Sequence, residues 1–256
     1  MFKKLLAVVL VLAAMLSMAA CGGTTAQDGL NAAGDALLSA NIEKSDILGV
    51  WESEAKISDV LTYTDDSQMD AGDNSSAVLE VLQQVKSDET FDVSIKFNED
   101  NTYDIIYDAE SFVDAVLDYY EDVFDAMKND KEMLKKFASL DDSTLDLLIS
   151  SNGFSSFAQV VDLLAQNVKN MDKSEFLSTL TSSLVGSKLE NGDIVLAGLK
   201  YEIDGKSLKI QLDKSTTDTT EMVLKNGKLS FKTLDGVFKN PNAVIFKNGF
   251  EKEDND

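Results

Sequence analysis

Two hydrophobic periods alternate along this chain, and their order limits the folds open to it. Phe91, Val93, Ile95 and Phe97 are separated by Asp92, Ser94 and Lys96. This is the period of two that a half-buried strand requires, because successive side chains point to opposite faces. Asn98-Glu99-Asp100-Asn101 supplies a turn, after which Tyr103, Ile105 and Tyr107 resume the alternation, which predicts an antiparallel hairpin. The pattern returns downstream, where Tyr201 and Ile203 precede Asp204-Gly205 and Leu208, Ile210 and Leu212 follow it. A third copy has Met222 and Leu224 before Asn226-Gly227, with Leu229 and Phe231 after. Asp-Gly and Asn-Gly are the strongest short hairpin signals. Val244 and Phe246, just past Pro241, predict a last short strand. Strands at roughly ten-residue spacing belong to all-β barrels or sandwiches.

Between the two strand regions the period changes. Phe112, Val113, Val116, Leu117, Tyr120, Val123, Phe124 and Met127 form one stripe at helical spacing, and Asp114, Asp118, Glu121, Asp122 and Asp125 cover the other side. Shorter helices are expected over Lys131–Ser139 and Ser143–Ser151, the second ended by Asn152-Gly153. Phe157, Val160, Val161, Leu164 and Val168 mark another, and Asp172 with Glu175 reads as a capping box before Phe176, Leu177, Leu180 and Leu184. The expected fold class is therefore α+β. An antiparallel β domain spans 47–250, with a helical insert at about 109–186 and an acidic tail at 251–256.

The first residues follow a different grammar. Lys3 and Lys4 precede an uncharged run from Leu5 to Ala20 that ends in small side chains, as an export signal does. Its 16 residues fall short of the roughly 20 that span a bilayer as a helix. Met18-Ala19-Ala20-Cys21 resembles the lipobox of bacterial lipoproteins, with Met18 where Leu is usual. The resemblance implies a signal peptide over 1–20, cleavage before Cys21 and diacylglycerol on the Cys21 thiol. Two acyl chains suffice for stable anchoring, where one chain holds only marginally. Residues 21–46 would then carry the lipid and a tether whose Gly22–Asp28 stretch is small and polar, with a short helix expected over Leu30–Ala40.

Composition excludes more than it assigns. Cys21 is the only cysteine, so the domain has no internal disulfide and must rely on a packed core. There is no His, and every one of the 23 basic residues is Lys. A Ser-His-Asp or Cys-His nucleophile system, a His zinc site and a bidentate guanidinium clamp are all ruled out. No catalytic residue, metal or cofactor is expected. The net charge of −22 becomes more negative once Lys3 and Lys4 leave, a surface that repels nucleic acid and anionic head groups alike. Asp65, Asp66, Asp70 and Asp73 crowd one loop without the order of an EF-hand, and a solvated loop is expected there.

Gly49-Val50-Trp51 opens the first strand, and the phrases ILGVWES, IKFNEDNTYDI and LKYEIDGKSLKI resemble the lipocalin-like domains of exported bacterial lipoproteins. The likeness covers residues 47–107 and about 188–250. It implies a calycin-type barrel with Gly49 and Trp51 at its floor. The lipocalin Trp usually packs under an Arg near the end of the last strand; this chain has none, and Lys247 is the nearest substitute by position. Tyr103, Tyr107 and Tyr201 are candidates to line a cavity, or else face solvent.

Two functional expectations follow. In the first, a membrane-anchored, extracytoplasmic, non-catalytic lipoprotein serves as a structural or protein-interaction module of the cell envelope. In the second, the barrel holds a small apolar or amphipathic ligand beneath the helical insert. Membrane lipid at Cys21 is a partner in both, and a monomer is expected.

Overall fold

A computed structural model describes residues 41–61, 74–183, 187–212, 214, 217, 219–232 and 245–253. The expected signal peptide, Cys21, the helix expected over Leu30–Ala40, the loop aspartates at 65, 66, 70 and 73, Pro241, Val244 and the last residues of the expected acidic tail lie outside the described residues. The chain divides into two compact units.

The strand unit draws on residues up to 55, 92–109 and those from 185 onward. Its strands are β1 (Gly49–Lys56), β2 (Thr90–Phe97), β3 (Thr102–Tyr107), β4 (Ser187–Glu190), β5 (Asp193–Asp204), β6 (Ser207–Gln211), β7 (Thr219–Lys225), β8 (Lys228–Phe231) and β9 (Phe250–Lys252). They pair antiparallel in the order β3-β2-β1-β9-β8-β7-β6-β5, and β5 returns to β3, so eight strands close into a barrel. Closure removes the exposed edges of an open sheet. The α+β class with an antiparallel barrel is as the sequence led us to expect.

The long β5 closes the barrel through a bulge. Tyr103 lies opposite Leu199 and Ile105 opposite Leu196, so β5 carries one residue more than β3 across this step. Gly198 adopts φ +74°, and its N–H donates to Asp104 Oδ1 at 2.7 Å. The extra residue reverses the inward parity of β5, so that Ile194 and Leu196 before it and Leu199 and Tyr201 after it are all buried. That reversal hides the first half of β5 from a search for strict alternation.

The hairpins differ in detail from their sequence signals. Asn226 (φ 54°) and Gly227 (φ 77°) lie between the paired Lys225 and Lys228, the two positive angles of a type I′ turn. At the other signal, Asp204 is itself paired with Ser207, so Gly205 and Lys206 form the turn, one residue beyond Asp-Gly. Asn191 (φ 56°) and Gly192 (φ 100°) make a further I′ turn joining β4 to β5. Phe246 belongs to a turn over 245–248 rather than to the expected last strand, and β9 follows it. Phe246 is buried because its ring packs on Phe231 and Phe250, at 5.2 and 5.0 Å between centroids. An apolar residue there reports core, not strand.

The helical unit draws on residues 56–91 and 110–184. It holds α2 (Ile57–Leu61), α3 (Asn74–Gln84), α4 (Ala109–Met127), α5 (Lys131–Ala138), α6 (Asp142–Ser151), α7 (Phe157–Lys169) and α8 (Lys173–Ser183), while the short α1 (Lys44–Ile47) belongs to the strand unit. The insert therefore has the expected helices, and α2 and α3 add an unexpected second contribution from between β1 and β2. Val78, Val81 and Leu82, all buried, carry a helical spacing that the acidic loop before them obscures.

Caps fix the helix boundaries. Asp130 accepts from the Glu132 and Met133 N–H groups, Asp141 from Thr144 and Asp172 from Ser174 and Glu175, satisfying donors that have no partner inside the helix. Gly153 (φ 69°) follows α6, and Ser139 takes a left-handed conformation after α5. The unit's core contains Phe91 edge-on to Phe112 at 4.9 Å and Phe124 edge-on to Phe137 at 6.2 Å. Tyr119 donates its hydroxyl to the Leu82 carbonyl at 2.7 Å, which ties α4 to α3. No helix of the described residues is long and apolar enough to cross a membrane.

Candidate functional site

One end of the barrel is crossed by the segment that precedes β1. The Ile42 N–H donates to the Gly205 carbonyl at 2.9 Å, in the β5–β6 turn. The Lys44 ammonium donates to the Glu99 carbonyl and to Asn101 Oδ1, in the β2–β3 turn. Glu43 and Asp46 form a reciprocal capping box that holds α1, and Ile47 at its end is fully buried. A short segment thus spans two hairpin turns and closes that end as a floor.

Trp51 stands on this floor. Only 1% of it is exposed, and its indole N–H donates to the Ile47 carbonyl at 2.8 Å, which satisfies the one polar atom of a buried ring. The ammonium above it belongs to Lys252, with Nζ 5.7 Å from the ring centroid. The sequence reading looked to Lys247, which is exposed in the turn before β9. The register decides the matter: Trp51 and Lys252 are direct partners across β1 and β9, and residues opposite each other share a face. Lys252 also donates to the Asp46 carbonyl at 3.0 Å. Gly49 (φ 109°) lies beneath the lysine stem in a conformation that side-chain-bearing residues rarely adopt.

The three tyrosines all rise from inward positions of β3 and β5. Tyr103 is completely buried, and its hydroxyl donates to the Gln211 carbonyl at 2.7 Å. Tyr201 is buried as well and donates to the Asn98 carbonyl at 2.8 Å. Phe97 stacks on Tyr103 at 5.5 Å and meets Tyr201 edge-on at 5.1 Å. Tyr107, half-buried, lies opposite Val93 and Ile194. Burial raises the pKa of all three phenols, so they remain neutral donors across the physiological range.

The outer wall carries a hollow of about 880 Å³. Glu52, Glu54, Asp92, Asp108, Asp193, Glu251 and Glu253 line it, and Lys228 and Lys252 are the cations among them. Val93 and Ile106 contribute to its lining. Partial burial, followed by the charge of Asp108, pushes the Asp193 carboxyl up, while a hydrogen bond from the Ala109 N–H acts against this. Sequence reasoning missed this grouping because acidic residues are abundant everywhere in the chain; only the curvature of the wall selects these. No group of three or more of the described carboxylates is arranged to hold a metal ion.

Comparison with known proteins returned no matching family model, no similar curated protein and no similar solved structure.

Proposed function

We propose that this protein is a lipoprotein of the cell envelope, anchored through acyl chains on Cys21, whose lipocalin-like barrel is a non-catalytic protein-interaction module on the extracytoplasmic side. The observation that carries the choice between interaction and small-ligand carriage is the state of the inward hydroxyls. Tyr103 and Tyr201 spend theirs on the backbone carbonyls of Gln211 and Asn98, amid packed aromatic rings. Ligand pockets in barrels present a few polar groups to the ligand; these two are already committed. The outer surface is then the working surface.

The lipocalin-like assignment is supported by the pairing of Gly49, Trp51 and Lys252 at the closed end. The anchoring rests on the sequence Met18-Ala19-Ala20-Cys21 and the apolar run before it. The non-catalytic assignment rests on the absence of His and Arg and the commitment of the one Cys.

Mass spectrometry of the N-terminus from membranes should find an acylated Cys21, and Cys21→Ser should move the protein to the soluble fraction. Titration of the purified protein with a fluorescent fatty acid should give no saturable binding. A soluble product with a different N-terminus would end the lipoprotein reading, and uptake of one fatty acid per chain would replace interaction by carriage.

A further inference from the structure

The barrel closes through β3 and β5, which leaves β4 outside the wall. Among the described residues β4 pairs only with β5, and Lys188, Leu189 and Glu190 are exposed. Leu189 is 52% exposed, one of two large apolar side chains so exposed among the described residues. An edge strand presents unpaired N–H and C=O groups to any chain able to match them.

The hairpin geometry says which groups those are. A two-residue I′ turn is closed by a hydrogen-bonded pair, here Glu190 and Asp193, and bonded and non-bonded pairs then alternate along an antiparallel ladder. Lys188 with Val195 is the next bonded pair, and Leu189 with Ile194 falls between them. The Leu189 N–H and C=O therefore point away from β5, toward the free edge.

We infer that β4 is a self-complementary docking edge, on which a second copy of this chain adds its own β4 antiparallel about a two-fold axis through Leu189. In that register the two Leu189 residues form the bonded pair and meet side chain to side chain. Lys188 of each copy lies opposite Glu190 of the other, and both cross-strand pairs join opposite charges. In the single chain these two side chains already pair with each other at 2.5 Å, so both extend on one face of the strand. The sequence reads Lys-Leu-Glu, and only the antiparallel two-fold turns it into two attractive pairs and one apolar contact. A parallel register would set Lys188 against Lys188. The contact is short, so the association is weak and becomes appreciable where copies are concentrated.

The test uses the full chain purified in detergent at about 0.15 M salt, where the Debye length of roughly 8 Å screens the acidic surfaces from each other. A bonded antiparallel pair has a Cα separation of about 5.5 Å, within the range a disulfide spans. Leu189→Cys should therefore form a covalent dimer on mild oxidation, while wild type, which retains Cys21, and Glu202→Cys on exposed β5 should not. Light scattering of uncrosslinked protein should show a concentration-dependent dimer. Lys188→Glu and Glu190→Lys should each weaken it roughly three- to tenfold, because two pairs turn repulsive, and the double exchange should restore it. Leu189→Pro should abolish it, since proline removes an outward N–H while sparing the ladder to β5. A monomer at every concentration would overturn the inference. So would a dimer that ignores the charge reversals, or one crosslinked equally well through position 202.

Discussion

Lys252 holds its ammonium 5.7 Å above the Trp51 ring because the two residues face each other across the last and first strands of the barrel. The contact joins the two ends of the described strand unit at its floor. An exposed cation over an indole contributes about 0.5–1 kcal/mol, and the bond to the Asp46 carbonyl adds to it. Lys252→Ala should lower unfolding free energy by roughly 1 kcal/mol, and Lys252→Arg should be neutral or stabilising. Trp51 is the only tryptophan, so its fluorescence in a urea titration reports the unfolding of the floor directly.

Two glycines with similar backbone angles should respond very differently to alanine. At Gly249 (φ 71°) an added Cβ would stand 2.7 Å from the Leu229 carbonyl oxygen, whereas at Gly227 (φ 77°) nothing lies within 4 Å. Gly227→Ala should cost only the left-handed conformation, about 1 kcal/mol. Gly249→Ala must also push apart β8 and the start of β9, and a loss of about 3 kcal/mol or more is expected. Thermal melts of the two variants in parallel would check the difference.

Adjacent tyrosines on α4 give a second contrast. The Tyr119 hydroxyl, its pKa pushed up by burial to about 12, is bonded to the Leu82 carbonyl. The Tyr120 hydroxyl, also buried, has no hydrogen-bond partner among the described residues. Tyr119→Phe should cost about 1 kcal/mol, the worth of one buried hydrogen bond, while the Leu82 carbonyl keeps the Val85 N–H at 3.1 Å. Tyr120→Phe should be neutral or stabilising. Equal losses at both positions in denaturant titrations would contradict the bonding described.

The raised Asp193 carboxyl makes a pH-dependent prediction. A carboxyl whose pKa is higher in the folded protein binds its proton more tightly there, so stability falls as pH rises through the window between the unfolded and folded values. The cost is absent below the ordinary carboxylate pKa and complete above the raised one. Asp193→Asn keeps an acceptor for the Ala109 N–H and removes the charge facing Asp108. It should raise the melting temperature at pH 7, and the gain should vanish below about pH 3, where the Asp193 carboxyl is protonated in the folded and unfolded states alike.

The order of periods along the chain determined the kinds of element and most of their positions. Alternation places β2, β3 and the later hairpins, and the stripe through Phe112 and Met127 places α4, because side-chain direction repeats locally. The export grammar and the chemistry denied by the missing His and Arg are likewise properties of the sequence alone. Tertiary structure decided what depends on pairing between distant residues. No local pattern reveals that Lys252 rather than Lys247 covers Trp51, since that follows from the register of strands nearly 200 positions apart. The bulge at Gly198 reverses the parity of β5 only in response to its partner β3, so Ile194 and Leu196 face inward against the alternation that Tyr201 suggests. The outer hollow is selected in the same way: carboxylates spread along the whole chain, and strand curvature gathers seven of them around one concavity.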